Sequence, residues 1–224
     1  RKSGLIDSRH TTSHVPFGLV LGPGGGKLKS RSGGVVKLLD LLNEAIDRAS
    51  ASVKDRNPDI TQEELGRLSR SIGIGAVKYS DLKSDRTKDY VFDWEKMLSF
   101  EGETGPYLQY AHARISSILR NDKFQQSKSG LTSFSLAHES EMRLAREILK
   151  YPESVDQAAE DLAPHRICKQ LHRLSQAFAA FYENCPVLVE DDNTRNERLA
   201  LCRIAGGILN HGLNLLGIDA PDRM

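Results

Sequence analysis

The sequence predicts a mainly α protein, with a helical bundle in its second half and a helical first half that holds one or two short strands. Three observations predict it. Apolar residues recur at helical spacing through most of the chain. Capping-box patterns, a Ser or Thr followed three residues later by Glu or Gln, open at Thr61, Ser154 and Thr194. Strand-like runs are confined to two brief stretches, 14–21 and 90–92.

Residues 14–21 read as a buried strand, apolar and β-branched with Pro16 near its entry, and 22–26 as a glycine loop. Helical period begins after Gly34. Leu38, Leu41, Leu42, Ala45, Ile46 and Ala49 share one face, with Lys37, Asp40, Asn43, Glu44 and Asp47 opposite, and Asn57-Pro58 ends the helix. Thr61 caps the next helix, which reaches Ser71 and continues to Tyr79. Gly73 and Gly75 within it each weaken a helix by about 1 kcal/mol relative to alanine, which points to close backbone packing. Residues 85–88 form a turn and 93–100 a short helix.

Pro106 suits a first helical turn, where a missing N–H costs little. The helix that starts there turns Tyr107, Leu108, Ala111, Ile115, Ile118 and Leu119 inward. Residues 121–133 are polar and turn-rich and mark a domain boundary, dividing the chain into 1–120 and 121–224. Four helices are expected beyond it, at roughly 136–150, 154–162, 165–183 and 195–216. Pro164 opens the third and Gly217 closes the fourth. Leu171, Leu174, Phe178 and Phe181 make one apolar stripe; Leu199, Cys202, Leu209, Leu213 and Leu216 make another.

The 224 residues are 39% hydrophobic and 27% charged, the balance of a soluble globular protein with ample chain for a core. Net charge is only +1, so nucleic-acid binding would need local basic patches rather than a global field. No apolar run approaches the roughly 18 residues of a membrane span, and no signal segment opens the chain, so no membrane partner is expected. Cys168, Cys185 and Cys202 are odd in number and lack metal-site or disulfide spacing. They read as reduced, buried thiols of a cytoplasmic or comparably reducing organellar protein without a metal site. The chain opens at Arg1 with no capping or strand signal, and further sequence is expected before it.

Three constellations could carry chemistry. The first is Lys27-Leu-Lys-Ser-Arg31, behind the glycine loop. Chemistry on ATP needs cations near the phosphates as charge shifts to the leaving pyrophosphate. Lys27, Lys29, Arg31 and the Ser30 hydroxyl could supply that, although a solvated basic loop has the same composition. It is not a P-loop, since Gly-x-x-x-x-Gly-Lys-Ser/Thr does not occur.

The second is the Asp89-Tyr-Val-Phe-Asp-Trp94 segment with the stretch 100–114, in which Glu103, Gln109, Tyr110, His112 and Arg114 surround a helix start. Its glycine, proline and aromatics could equally pack two domains together. His112 has no defined Ser, Cys or carboxylate partner and is not assigned as a general base. The third sets His165, Arg166, Lys169, His172 and Arg173 on a helix with an opposite apolar face, followed by Tyr182 beside Ala179 and Ala180. Unstacked bases are read by stacking on aromatics while Arg and Lys hold phosphates. An amphipathic helix with snorkelling cations has the same pattern.

Taken in order from about residue 14 to 224, these segments resemble arginyl-tRNA synthetases. The carriers are the 14–21 strand, the basic loop with Val35–Glu44 after it, the 100–114 stretch, the Phe-Tyr-Glu-Asn-Cys-Pro-Val-Leu run at 181–188 and the ending Ile-Asp-Ala-Pro-Asp-Arg-Met224. The resemblance implies an α-helical anticodon-binding bundle at 121–224, preceded by the helical end of a Rossmann-type class I catalytic domain. It further implies that Lys27, Lys29, Ser30 and Arg31 form a degenerate Lys-Met-Ser-Lys-Ser loop that closes on ATP, with Mg2+ as the nucleotide's counter-ion. The second lysine of that loop is absent at its own place, where Ser30 stands.

The tRNA contacts it implies are Gln109, His112, Arg114, Arg166, Lys169, Arg173, Tyr182 and Met224. The complete enzyme would join L-arginine to tRNA-Arg through an arginyl-adenylate, working as a monomer. No His-Ile-Gly-His element occurs, so the chain alone is expected to bind tRNA without activating arginine, which ATP–pyrophosphate exchange measures. A non-catalytic tRNA-binding or scaffold protein derived from a synthetase is the alternative.

Overall fold

The computed structural model describes residues 7, 9–22, 25–26, 37–120 and 134–224. Two strands and eight helices are described: β1 (Val20–Leu21), α1 (Leu38–Arg56), α2 (Gln62–Leu82), β2 (Tyr90–Val91), α3 (Trp94–Leu98), α4 (Gly105–Leu119), α5 (Glu139–Leu149), α6 (Tyr151–Glu160), α7 (His165–Asn184) and α8 (Asp192–Leu215). The mainly α class with short strands is as expected. No helix among the described residues is long and apolar enough to cross a membrane. The proposed boundary segment, 121–133, lies outside the described residues.

The strand expected over 14–21 narrows to Val20–Leu21, paired in parallel with β2, Val20 opposite Tyr90 and Leu21 opposite Val91. With one neighbouring strand the rest of that run stays outside the core, Phe17 at 85% exposure. Gly18 is required where the two chains meet, since a Cβ there would lie 2.3 Å from the Lys88 carbonyl oxygen.

Helix α1 begins at the predicted place, but Leu38 and Leu39 are exposed and its buried stripe is Ala45, Ala49 and Val53. Small residues on that stripe let α2 come close. A Cβ on Gly73 would stand 2.7 Å from the Ala45 carbonyl carbon and oxygen, so the glycines of α2 do serve backbone contact. At the crossing of α2 and α4 a Cβ on Gly105 would be 2.8 Å from the Gly75 carbonyl oxygen. Thr61 caps α2 as read, accepting from the Glu64 N–H at 3.3 Å.

Two other caps differ from expectation. Helix α6 starts at Tyr151 with Pro152 in its first turn, so Ser154 lies inside it and donates back to the Lys150 carbonyl at 3.0 Å. Helix α8 is capped by Asp191, which accepts from the Thr194 N–H at 2.8 Å. A carboxylate three residues earlier takes the role given to Thr194. Gly217 ends α8 as expected, at φ +67, with the Ile218 N–H donating to the Leu213 carbonyl at 2.9 Å.

The main core draws on Tyr79 of α2, Leu108 and Ile115 of α4, Leu144 of α5 and the apolar stripes of α7 and α8. A smaller one joins Ala49, Val53, Leu65, Leu68 and Ile72, with Leu98, Phe100 and Met224 packed against it. All three cysteines are free and buried, as the sequence suggested, and burial pushes the Cys168 and Cys202 thiols up to about 12.

Candidate nucleic-acid interface

Helix α4 carries three of the eight predicted contacts, Gln109, His112 and Arg114. Thr104 caps it, accepting from the Tyr107 N–H at 3.1 Å and donating to the Ser99 carbonyl at 2.6 Å. Lys83 ties the Glu103 carbonyl to α2 at 2.9 Å. The first turn is thus fixed from two sides, and the residues after it leave at set angles.

Tyr110 and Arg114 are one turn apart and exposed. The Arg114 guanidinium lies 4.3 Å from the ring centroid of Tyr182, at the end of α7. Tyr182 leans on Phe178, with centroids 6.1 Å apart, and keeps 37% of its surface in solvent. A cation over an aromatic face holds both side chains with little loss of reach. Arg114 keeps its donors for phosphate or base edges, and a ring held in this way offers a surface on which an unpaired base can stack.

Gln109 and His112 take a different place from the one predicted. Both are buried, at 0% and 4% exposure, and both face the C-terminal tail. Gln109 donates to the Ser71 carbonyl at 3.2 Å and the Asp219 carbonyl at 2.8 Å. His112 Nδ1 is 3.1 Å from the Pro221 carbonyl, and the bond forms with that nitrogen protonated. Side chains enclosed in this way hold the tail rather than touch an incoming polynucleotide. Ser116 and Arg120 continue the seam, donating to the Asp222 carboxylate at 2.9 Å and its carbonyl at 2.8 Å. Met224 is half-buried against the smaller core.

Arg166, Lys169 and Arg173 are exposed on α7 and share one stripe. At about 100° per residue Tyr182 lies on the opposite side of that helix, so the stripe and the Arg114–Tyr182 stack are not brought together. Arg166 is also engaged, paired with Asp161 at 2.5 Å. Burial pushes His172 below the ordinary imidazole value, which keeps it neutral near pH 7 and out of the cationic stripe. Lys27, Lys29, Ser30 and Arg31 lie outside the described residues. Among the described residues no cluster of His, Cys, Asp or Glu could hold a metal ion.

One feature escaped sequence reasoning. Arg48 stands 5.2 Å from the Trp94 ring and Arg56 4.1 Å from the Phe100 ring, in a second exposed groove. The available signal was the four-residue spacing of Arg48, Ser52 and Arg56 on α1.

Comparison with known proteins assigns both parts of the chain. The DALR anticodon binding domain family matches residues 108–224, and the family of class I (R) tRNA synthetase catalytic domains matches residues 1–94. The chain is 46% identical over 226 residues to an arginine–tRNA ligase of Proteus mirabilis, covering 100% of this chain and 39% of that protein. It is likewise 46% identical over 225 residues to one from Frankia casuarinae, covering 100% and 38%. Among solved structures, Thermus thermophilus arginyl-tRNA synthetase superposes with a TM-score of 0.80 at 36% identity, covering 92% of this chain and 34% of that one. The Plasmodium falciparum arginyl-tRNA synthetase gives 0.75 at 31%, covering 94% and 35%. The chain therefore spans under two fifths of the length of these relatives.

Proposed function

Because the chain belongs to the arginyl-tRNA synthetase family, we propose that it is the tRNA-reading portion of an arginine–tRNA ligase, with the end of the catalytic domain attached. In this reading residues 1–120 close the catalytic domain and 121–224 bind the anticodon. The complete enzyme attaches L-arginine to tRNA-Arg with ATP through an arginyl-adenylate, as a cytoplasmic monomer. Lys27, Lys29, Ser30 and Arg31 meet the ATP phosphates, and Mg2+ arrives with the nucleotide.

Tyr182 of the bundle and Arg114, on the helix α4 that packs against it, hold unstacked anticodon bases, while Lys169 and Arg173 take phosphates and Arg166 does so once it exchanges Asp161 for RNA. Gln109 and His112 act at one remove, fixing the tail that carries Met224. The observation that carries this reading is the exposed Arg114–Tyr182 stack inside the segment matched by the anticodon-binding family.

A gel-shift titration of tRNA-Arg against a non-cognate tRNA tests it. The chain is expected to prefer tRNA-Arg. Tyr182→Ala and Arg114→Ala should each weaken binding about 5- to 150-fold, the loss of one base stack at roughly 1–3 kcal/mol. Equal affinity for both tRNAs, or an unaltered Tyr182→Ala, overturns the reading.

A further inference from the structure

The turn between α2 and β2 touches both halves of the chain through one residue, Arg86. Its carbonyl accepts from the Gly18 N–H at 2.6 Å. Its guanidinium donates to the Leu162 carbonyl, and to the Asp161 carbonyl at 3.3 Å, where α6 turns into α7. The run that Gly18 opens is held near the same turn again, the Leu19 N–H donating to the Asp89 carboxylate at 2.7 Å. That run becomes β1 and leads along the chain into the glycine loop and the Lys27–Arg31 tract.

The α6–α7 corner is a strained partner for Arg86. Leu162 adopts φ +52 just past the helix end, where glycine is usual, and the Ala163 N–H closes the turn on the Ala158 carbonyl at 2.8 Å. A left-handed conformation is costly for a residue with a Cβ, and persists where its surroundings fix it. A cation against the carbonyl end of α6 supplies part of that hold. Yet the Arg86 Nε is buried with no partner, so the guanidinium is not fully used in this arrangement.

The unused donor has an acceptor within the same corner. Asp161 gives its carbonyl to Arg86 and its carboxylate to Arg166, at 2.5 Å. The two side chains of that ion pair are 42% and 51% exposed, so the pair is weak and an RNA phosphate can take the place of its acid. Once Arg166 turns to a phosphate the Asp161 carboxylate is released, beside the guanidinium already bonded to the same residue's carbonyl. Asp85, the other carboxylate of the turn, is taken by Thr87, which donates from its N–H at 3.0 Å and its hydroxyl at 2.8 Å.

We propose that Arg86 is a positioning residue that couples the bundle to the strand-bearing segment through an exchange of the Asp161 carboxylate. In the free chain Asp161 pairs with Arg166. With RNA on Arg166 it pairs with Arg86, which fixes the turn and with it the bond to Gly18. Each state has its own contacts, as coupling between separate sites requires. The inference rests on the tRNA-binding reading above, in which Arg166 takes a phosphate.

Amide hydrogen exchange of the 16–22 segment in this chain, read by mass spectrometry with and without tRNA-Arg, tests it. Substitution at position 86 keeps the carbonyl that Gly18 uses, and so removes the side-chain link alone. In the unaltered chain tRNA-Arg should slow exchange of this segment about threefold, the scale of one part-exposed ion pair. R86A and D161N should each abolish that slowing. By gel shift, tRNA affinity should stay within about twofold in R86A and rise by up to about threefold in D161N, where Arg166 loses its ion pair. R86K should restore part of the slowing, since lysine keeps the charge without the fork that spans several acceptors.

Slowing that persists in R86A or D161N overturns the inference, as does an unaltered chain that binds tRNA-Arg with no change over 16–22. A loss of affinity in R86A as large as that in Arg114→Ala also overturns it, because Arg86 would then be an RNA contact. Should circular dichroism show R86A unfolded, D161N decides alone. Failure of the unaltered chain to bind tRNA-Arg removes the tRNA-binding reading, and this inference with it.

Discussion

Replacing Glu141 by alanine is expected to destabilise the protein by about 3–5 kcal/mol, the penalty for removing one partner of a buried ion pair. Glu141 is only 5% exposed, and its carboxylate accepts from Arg198 Nε at 2.6 Å and from the His138 N–H at 2.9 Å. Truncation strands the Arg198 charge, whose side chain is 14% exposed and keeps, among the described residues, the Pro186 carbonyl at 2.7 Å. It also removes the reciprocal half of the α5 capping box, where His138 accepts from Ser140. Urea denaturation of Glu141→Ala beside Glu141→Gln measures the two parts, the glutamine keeping volume and one acceptor. Arg198 joins α8 to α5 through this pair, so the loss should appear as a lower midpoint for the whole bundle.

The same pair sets a pH dependence. Burial alone would raise the Glu141 carboxyl, but the His138 N–H and Arg198 outweigh it and hold the group below its ordinary value. A folded-state value below the unfolded one means the contribution is complete above the unfolded carboxylate range, near about 4.3. It is lost as pH falls through the lower folded-state value. Stability measured from pH 7 downward should therefore decline in acid, and less steeply in Glu141→Gln.

Gly73→Ala is the second large effect, expected to cost about 1–3 kcal/mol although alanine favours a helix by about 1 kcal/mol. The added methyl would stand 2.7 Å from the Ala45 carbonyl carbon and oxygen and the Ile46 nitrogen. All three are backbone atoms, so no rotamer change makes room and α1 must move off α2. Gly207→Ala supplies the control. A Cβ at Gly207 meets nothing within 4 Å, and that substitution should stabilise by up to about 1 kcal/mol. Opposite signs in thermal melts for two glycine-to-alanine changes in helices would separate packing from propensity.

The helices were legible because their signals are local. Thr61 and its Glu64 partner sit within one turn, and the cost of Gly73 and Gly75 could be read without knowing what they touch. Signals that depend on competition were misread. Ser154 has the pattern of a cap, yet Pro152 lets the helix start earlier; Thr194 does too, yet Asp191 offers a carboxylate one turn ahead. Leu38 matched the apolar face by period, but the buried stripe of α1 begins only at Ala45.

At the candidate interface the division is similar. Tyr182 could be picked out as an aromatic beyond a stripe of core residues. Gln109 and His112 look like polar contacts in sequence, and their enclosure depends on residues 219–221, more than a hundred positions away. Arg48 and Trp94 are likewise too far apart in the chain for any periodic signal to pair them.

At the crossing of Gly75 and Gly105 the backbones of α2 and α4 come so close that a Cβ on Gly105 would stand 2.8 Å from the Gly75 carbonyl oxygen, with the Gln109 side chain filling the space beside Gly75. Together with the contact of Gly73 on Ala45, this approach fixes α2 closely between α1 and α4, so a side chain added at either glycine would part helices whose faces build the core.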